Sequence, residues 1–189
     1  TLGLILSGIM IGSLFSAGVS FIKLVADPTD ILPEITYWLM GSLAAIKMHD
    51  VYFAGPIIIV GIIPIMLWRW RINVLTMGDD EARTLGVGAV SLRTGIIAAS
   101  TLITAAAVSV SGMIGWVGLV IPHISRMIVG DDYRVMLPAA ALLGGSFMLV
   151  VDNFARMLST SEIPIGILTA FIGAPFFLYL IIKEGRRQH

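Results

Sequence analysis

Six apolar stretches, separated by shorter polar ones, follow each other along this chain of 189 residues. Several approach the ~20 residues that a helix needs to cross the hydrocarbon core of a bilayer. None alternates polar and apolar residues as a membrane strand does, and lipid requires every backbone group of a spanning segment to be bonded within the protein. The pattern predicts an all-α polytopic membrane protein, a single domain over residues 1–189, with transmembrane helices at about 2–25, 51–68, 92–111, 114–129, 135–158 and 165–182.

The stretch 114–129 is the weakest of the six, because its length reaches only ~24 Å at ~1.5 Å per residue. The distribution of basic residues supports it. If it crosses, one face of the membrane carries nine of the twelve bases, and the other face carries only Lys23, Lys47 and Arg156. The nine are Arg69, Arg71, Arg83, Arg93, Arg126, Arg134, Lys183, Arg186 and Arg187. The positive-inside rule makes their face cytoplasmic, and the C-terminus is expected there.

The composition agrees with a membrane location. Hydrophobic residues make up 57% of the chain and charged residues 13%, against ~25% charged residues in soluble domains. Twelve acids balance twelve bases, so nothing points to nucleic acid as a partner. The chain has no cysteine, which excludes disulfides, thiolate metal sites and cysteine nucleophiles. We expect no catalytic residue, no metal site and no bound cofactor.

Two polar stretches interrupt the apolar pattern in a structured way. Residues 69–91, which include the run GDDEARTLGV, are too polar for lipid, and their pattern predicts short helical elements presented to the cytoplasm. Outside, prolines at 28 and 33 indicate turns, and residues 35–43 indicate a short amphipathic helix at the interface. Its Tyr37 and Trp38 are typical of the interfacial aromatic belt.

Two helices carry a stripe of small or hydroxyl-bearing residues. Small residues in a stripe let a neighbouring helix approach closely, and they also leave room for a passing solute. The sequence leaves both interpretations open, packing or translocation path. The stripes are Gly8, Gly12, Ser16 and Ser20 in the first helix, and Ser100, Thr104, Ala107 and Ser111 in the third.

Few residues could carry other chemistry. His123 follows Pro122, and a structural role is the favoured interpretation for a lone histidine there. A serine protease built from Ser111 or Ser125 with His123 is a minor alternative without the usual glycine context. Asp152 and Arg156, four residues apart, can pair on one helix face. Alternatively, Arg156 docks an extracytoplasmic partner, with Glu162 on the same surface.

Three motifs carry a resemblance to a known family. They are GDDEARTLGV (78–87), GWVGLVIPHISR (115–126) and DNFARMLSTSEIPIGILTAFIGAPFFLYLI (152–181). In this order and spacing they resemble the FecCD-type permeases, the membrane subunits of ABC importers for iron–siderophore complexes, haem and cobalamin. The resemblance implies a ten-helix subunit that works as a pair, taken here as a homodimer. This chain would be its C-terminal six-tenths, truncated before the first helix, and the gate loop would lie upstream.

The resemblance also implies roles for individual residues. The loop 69–91 would form two short coupling helices resting on an ATP-binding subunit, with contacts from Gly78, Glu81, Ala82, Arg83, Leu85 and Gly86. Arg156, and with it Glu162, would face the extracytoplasmic substrate-binding protein. The first helix would line the translocation path. ATP would bind to the partner subunit, since this chain has no glycine-rich phosphate loop of its own.

These inferences predict a permease of a bacterial or archaeal cytoplasmic membrane that imports a metal chelate, with iron–siderophore uptake as the commonest role in the family. An ion-coupled secondary transporter is the alternative. It would need ionisable residues near the middle of the membrane, where only His123 and Asp152 are candidates. A purely structural membrane scaffold is a third possibility, and it predicts no effect of changing Arg83 or Arg156.

Overall fold

The long apolar stretches form α-helices, and no strand occurs among residues 2–158 and 163–185, which a computed structural model describes. Eight helices lie in these ranges: α1 (Leu2–Val25), α2 (Ile31–Leu39), α3 (Met48–Leu75), α4 (Asp79–Thr84), α5 (Ala89–Ser111), α6 (Val117–Val129), α7 (Tyr133–Leu158) and α8 (Ile165–Gly185). The all-α prediction is confirmed. By length and hydropathy, α3, α5, α7 and the part of α1 from Ile5 are long enough to span a membrane, while α6 and α8 are apolar but shorter.

The chain divides into two units, one up to Leu39 and one from Met40. The first contains α1 and α2, joined by a turn at Asp27. The hydroxyl of Thr29 donates to Asp27 Oδ1 at 2.6 Å, and the Thr29 N–H donates to the same oxygen at 2.8 Å. Both bonds stabilise the carboxylate and lower the pKa of Asp27 below its usual value.

Because of this turn, α2 begins and ends four residues earlier than the sequence predicts. The N–H of Leu32 donates to the Asp27 carbonyl at 2.9 Å, so the helix begins at Ile31 and ends at Leu39, not at residues 35 and 43. Pro33 does not mark a turn. It lies in the first helical turn, where its missing N–H would have no partner in the helix.

In the second unit α3 is the central helix, packing against α5 and α7, while α6 and α8 pack on α7 and on each other. Glycines allow the close approach of α3 to α5. A Cβ at Gly61 would lie 2.5 Å from Ile103 Cγ1, and one at Gly95 would lie 2.8 Å from the Trp68 ring. This is the small-residue packing expected where helices lack a hydrophobic drive in lipid.

Hydrogen bonds to backbone carbonyls define two ends of this second unit. At one end, called the Ser42 end, the Ser42 N–H donates to the Ser111 carbonyl at 2.9 Å, and the Gly166 N–H donates to the Gly41 carbonyl at 3.3 Å. At the other, called the Arg69 end, Arg69 Nη1 donates to the Arg134 carbonyl at 3.2 Å.

The direction of α6 follows from these ends. It begins just after α5 has ended at the Ser42 end, and Arg134, just after it, lies beside Arg69. The chain therefore reverses through α6, in the direction that the count of bases requires. Whether α6 and α8 cross the bilayer, which makes up the six-helix topology, stays a prediction.

Helix α3 is longer than the predicted segment 51–68, and it takes up residues that were assigned to the polar loop 69–91. Tertiary bonds explain the extension to Leu75. Besides Arg69, Asn73 is held in place, since its Oδ1 accepts the Tyr133 N–H at 3.4 Å. The Trp68 ring packs on Gly95. The linker between α3 and α5 is therefore only residues 76–88, with α4 inside it.

A glycine at the Ser42 end gives a stability prediction. A Cβ at Gly166 would overlap the Met40 carbonyl oxygen, which is backbone and cannot rotate away. Gly166→Ala should therefore destabilise the protein by about 1–3 kcal/mol, as overpacking does. Thermal unfolding in detergent measures this. The matched control is Gly145→Ala in α7, where a Cβ meets nothing within 4 Å. Equal melting temperatures of the two variants would contradict the packing described here.

Candidate functional site

Helix α4 is held by a small apolar core at the Arg69 end. Ala82 is fully buried. It lies in one cluster with Val74 of α3, with Leu92 of α5 and with Val87, which lies between α4 and α5. Three half-buried apolar side chains surround the cluster, namely Trp68, Leu75 and Ile96. A helix of six residues does not form by itself in water. The core therefore fixes α4 to the facing ends of α3 and α5.

The C-terminus of α4 is a Schellman motif. Gly86 has a φ of 75°, the left-handed conformation that favours glycine. The Val87 N–H donates to the Ala82 carbonyl at 2.8 Å, and the Gly86 N–H donates to the Arg83 carbonyl at 3.0 Å. The apolar contact that accompanies the motif is supplied by Val87 and Ala82, both buried. The sequence ARTLGV thus specifies where the helix ends and how the chain leaves it.

The N-terminus of α4 is tied to α5 by an ion pair. Asp79 is the first residue of α4, and Arg93 lies in the second turn of α5. Arg93 Nη1 donates to Asp79 Oδ2 at 2.9 Å, and Arg93 Nη2 donates to Asp79 Oδ1 at 2.6 Å. This is the two-pronged geometry in which arginine binds a carboxylate most firmly. The carboxylate also lies at the positive end of the helix dipole.

The outer side of α4 presents a mixed polar and apolar surface. Glu81, Arg83, Leu85 and Gly86 are exposed, and the Leu85 side chain is 54% exposed. We call these four residues the α4 surface. Gly78, half-buried with a φ of 126°, precedes it.

Two inferences about this loop need correction. Ala82 was assigned to the contact surface, but its buried side chain packs inside the chain and is not available to a partner. The resemblance also implied two short helices, and α4 is the single helix within residues 76–88, all of which are described. The reason is that the flanking residues are absorbed into α3 and α5, because their side chains join the same small core.

Helix α5 carries a groove on its exposed side. The groove has a volume of about 440 Å³ and is lined by Ser100, Thr101, Thr104, Ala105 and Val108. The opposite face of α5 is seated on the rest of the unit through the buried residues Leu92, Ala99 and Ala106. Ser100 and Thr104 of the predicted stripe therefore share one open surface. The Ser100 hydroxyl donates to the Ile96 carbonyl at 2.8 Å, which satisfies it within the helix.

The stripe on α1 is regular but is open within its own unit. A Cβ built at Gly8 or Gly12 would meet nothing within 4 Å. The Ser20 hydroxyl donates to the Ser16 carbonyl at 2.9 Å, four residues earlier. These contacts do not distinguish between the two interpretations of this stripe, helix packing and translocation path.

Asp152 and Arg156 form the ion pair that their spacing predicts. Arg156 Nε donates to Asp152 Oδ2 at 2.9 Å, and the arginine side chain is 49% exposed. They lie near the end of α7 at the Ser42 end, beside an apolar cluster that includes Ala155 and Ile165. The second predicted docking residue, Glu162, lies outside the described residues.

The model of the FecCD transport family matches residues 1–183 of this chain. The chain belongs to the FecCD transport family. Two FecCD relatives illustrate the similarity. The molybdate import system permease protein MolB of Haemophilus influenzae is 46% identical over 97% of this chain and 54% of its own length. The cobalamin import system permease protein BtuC of Halobacterium salinarum is 45% identical over 96% of this chain and 48% of its own.

A solved structure agrees with the fold of this FecCD chain. It is described as an inward-facing conformation of a candidate metal-chelate type ABC transporter. It is 44% identical in sequence, superposes with a TM-score of 0.92, and covers 97% of this chain and 59% of its own chain. The FecCD chain spans about half the length of the curated relatives it matches.

Other chemistry is not supported in the described part of this FecCD chain. The Ser125 hydroxyl is buried and donates to the Ile121 carbonyl at 2.8 Å, and the Ser111 hydroxyl donates to the Ala107 carbonyl at 2.9 Å. Neither serine is hydrogen-bonded to His123, so the protease alternative has no geometric support. Among the described residues, no group of three His, Cys, Asp or Glu side chains is placed to hold a metal ion.

Sequence reasoning missed the role of Arg93. In the sequence Arg93 counts only as one of nine cytoplasmic bases, and Asp79 is one of the charges of the motif GDDEARTLGV that can orient the contact with the ATP-binding subunit. A signal was present in the sequence, because an acidic residue opens a short helix and a basic residue lies near the start of the next. Only the fold shows that Asp79 and Arg93, 14 positions apart in the sequence, are brought together by a tight loop.

Proposed function

We propose that this chain forms part of the membrane-spanning permease subunit of a binding-protein-dependent ABC importer in a bacterial or archaeal cytoplasmic membrane. The observation that carries the proposal is the α4 surface, fixed on a small core in a member of the FecCD family. The transport subunit itself is not an enzyme in this proposal, and ATP is hydrolysed by a partner. Six helices, α1, α3 and α5 to α8, cross the bilayer, with the C-terminus in the cytoplasm.

The α4 surface binds the ATPase subunit. Its exposed Leu85 supplies an apolar contact, and Glu81 and Arg83 supply charges of opposite sign that fix orientation. Such complementary charges give an interface its specificity and register. The surface lies at the Arg69 end, which also carries Arg71, Arg126 and Arg134 and which the positive-inside rule assigns to the cytoplasm. The rigid attachment of α4 to α3 and α5 suits this role, because a force applied to a flexible loop would bend the loop and would not reach the membrane helices.

The substrate-binding protein docks on Arg156, at the Ser42 end, and the sequence-predicted Glu162 takes part in the same contact. The support for Arg156 is a half-exposed guanidinium near the end of α7, on the side with few bases. A second permease subunit, identical in the simplest arrangement, completes the path between two copies. The solute passes along the groove of α5 at Ser100 and Thr104, and along the stripe Gly8, Gly12, Ser16 and Ser20 of α1.

The solute is a metal chelate in this proposal. The names of several relatives support this class and not one compound, since they include cobalamin, hemin and iron chelatin systems. One relative is instead named for molybdate, an oxyanion. The groove in α5 is lined by three hydroxyl-bearing and two apolar residues and by no charged one, which suits a weakly polar solute whose selection is made by the binding protein.

The ion-coupled alternative is not favoured, because the matching proteins are permeases of ABC systems. Uptake into sealed vesicles distinguishes the two. The proposed importer requires ATP and its partner ATPase and survives an uncoupler, whereas a secondary transporter stops when the ion gradient collapses.

A further inference from the structure

We propose that Asp79 and Arg93 form the link that passes the movement of α4 to the groove-bearing face of α5. The inference rests on the proposed function, since it concerns how an ATPase bound at α4 acts on the membrane helices. It assigns a positioning role to two residues outside the α4 surface. Neither side chain needs to touch the ATPase or the solute.

Among the side-chain attachments of α4, this pair is the one made to α5 alone. The small core around Ala82 is shared between α3 and α5, so it holds α4 in place without favouring either helix. The ion pair joins α4 to α5 alone. Its two parallel hydrogen bonds fix the direction of Arg93 as well as its distance from Asp79, which a single contact would not do.

The position of Arg93 on α5 connects the pair to the groove. Arg93, Ser100 and Thr104 are seven and four residues apart in the sequence, so with 3.6 residues per turn they lie on one helix face. Ser100 lies about 10 Å along the helix from Arg93 at 1.5 Å per residue. Because the opposite face is seated on α3, a pull at Arg93 turns or tilts the face that carries the groove.

The pair contributes little to stability, which separates the proposed role from a structural one. The side chains of Arg93 and Asp79 are 53% and 46% exposed, so water and salt screen the pair, and the attachment of α4 rests mainly on the buried core around Ala82. Substitutions here should therefore leave the protein folded and the ATPase bound. An effect on the movement of α5 would come from the lost connection.

The test measures the exposure of the groove in the whole complex. Thr101 lines the groove, and this chain has no cysteine, so Thr101→Cys on a cysteine-free full-length permease gives a single reporter. The permease is reconstituted with its ATPase in lipid nanodiscs. The rate of labelling by a charged maleimide is compared between the nucleotide-free complex and the complex trapped with ATP and vanadate.

In the otherwise unaltered complex the labelling rate should differ at least about threefold between the two states, as expected when a ligand shifts a conformational equilibrium. Asp79→Asn and Arg93→Gln should each abolish that difference while the ATPase still co-purifies. Arg93→Lys, which keeps the charge but cannot form two parallel bonds, should retain only part of it. The charge exchange Asp79→Arg with Arg93→Asp should restore it.

Arg71→Gln and Asp131→Asn are the matched controls, because they remove the same charges from exposed positions at the same end and should leave the response intact. An unchanged response in Asp79→Asn and Arg93→Gln would overturn the link. Loss of ATPase binding in these variants would also overturn it, because the pair would then serve docking. If the ATPase fails to bind even the unaltered permease, the proposed function fails together with the link.

Discussion

Exchanging the two charges of the α4 surface, Glu81→Arg with Arg83→Glu, should abolish transport-coupled ATP hydrolysis while the protein still folds and inserts. Both side chains are exposed, and surface changes of this kind usually alter stability by less than about 0.5 kcal/mol. At an interface, a mispaired charge costs about 2 kcal/mol or more, which corresponds to about thirtyfold weaker binding. The measurement is ATP hydrolysis by the purified complex, with and without loaded binding protein.

A matched exchange elsewhere at the Arg69 end separates a local effect from a change in overall charge. Arg71→Glu with Asp131→Arg reverses the same two charges at exposed positions outside α4. This control should keep coupled hydrolysis. Normal coupling in the Glu81 and Arg83 variant would rule out the α4 surface as the ATPase contact, whatever the control does.

Arg156→Glu should weaken the affinity for the substrate-binding protein by about thirtyfold to several thousandfold, since truncating one partner of an interfacial charge pair costs about 2–5 kcal/mol. Its bond to Asp152 spans four residues of one helix, and such a pair contributes only about 0.3–0.5 kcal/mol to stability. Docking and the intrahelical pair thus predict effects of very different size. Binding of the loaded binding protein to the permease in nanodiscs measures the first, and thermal unfolding measures the second.

The charge reversal has two controls. Lys47→Glu makes a comparable change at an exposed position in the same unit and should leave the affinity within about threefold of the original. Reversing the acidic partner on the binding protein should restore part of the affinity lost by Arg156→Glu. If the affinity is unaltered and only the melting temperature falls, Arg156 has a structural role within this chain and does not dock the binding protein.

The sequence predicts the long helices well, because a continuous apolar run in a charge-poor chain has few alternatives to a membrane helix. Their ends are harder to predict. Residues 69–75 look like a polar loop, yet they extend α3, since Arg69 and Asn73 bond to the backbone beside α7. Those partners are more than fifty residues away in the sequence, and no local sequence pattern predicts them.

The short elements show the same limit on a smaller scale. The sequence ARTLGV is sufficient to predict the left-handed glycine and the apolar contact that end α4. The burial of Ala82 cannot be predicted in this way, because it depends on where the ends of α3 and α5 meet. The sequence predicts the start of α2 four residues too late, because the turn at Asp27 starts the helix and Pro33 lies inside it. Local rules identified each element, and contacts between elements decided its limits and its exposed face.

Uptake by sealed vesicles distinguishes an ATP-driven importer from a transporter driven by an ion gradient. The full-length permease is reconstituted with its ATPase, and the binding protein outside is supplied in turn with radiolabelled iron–siderophore, haem, cobalamin and molybdate. ATP is enclosed, the inorganic ions are matched on both sides of the membrane, and an uncoupler is added to remove the proton gradient. We expect that one of these solutes accumulates only when ATP and the ATPase are present, and at the same rate with the uncoupler. Accumulation that proceeds without ATP hydrolysis, or that stops when the uncoupler is added, would contradict it.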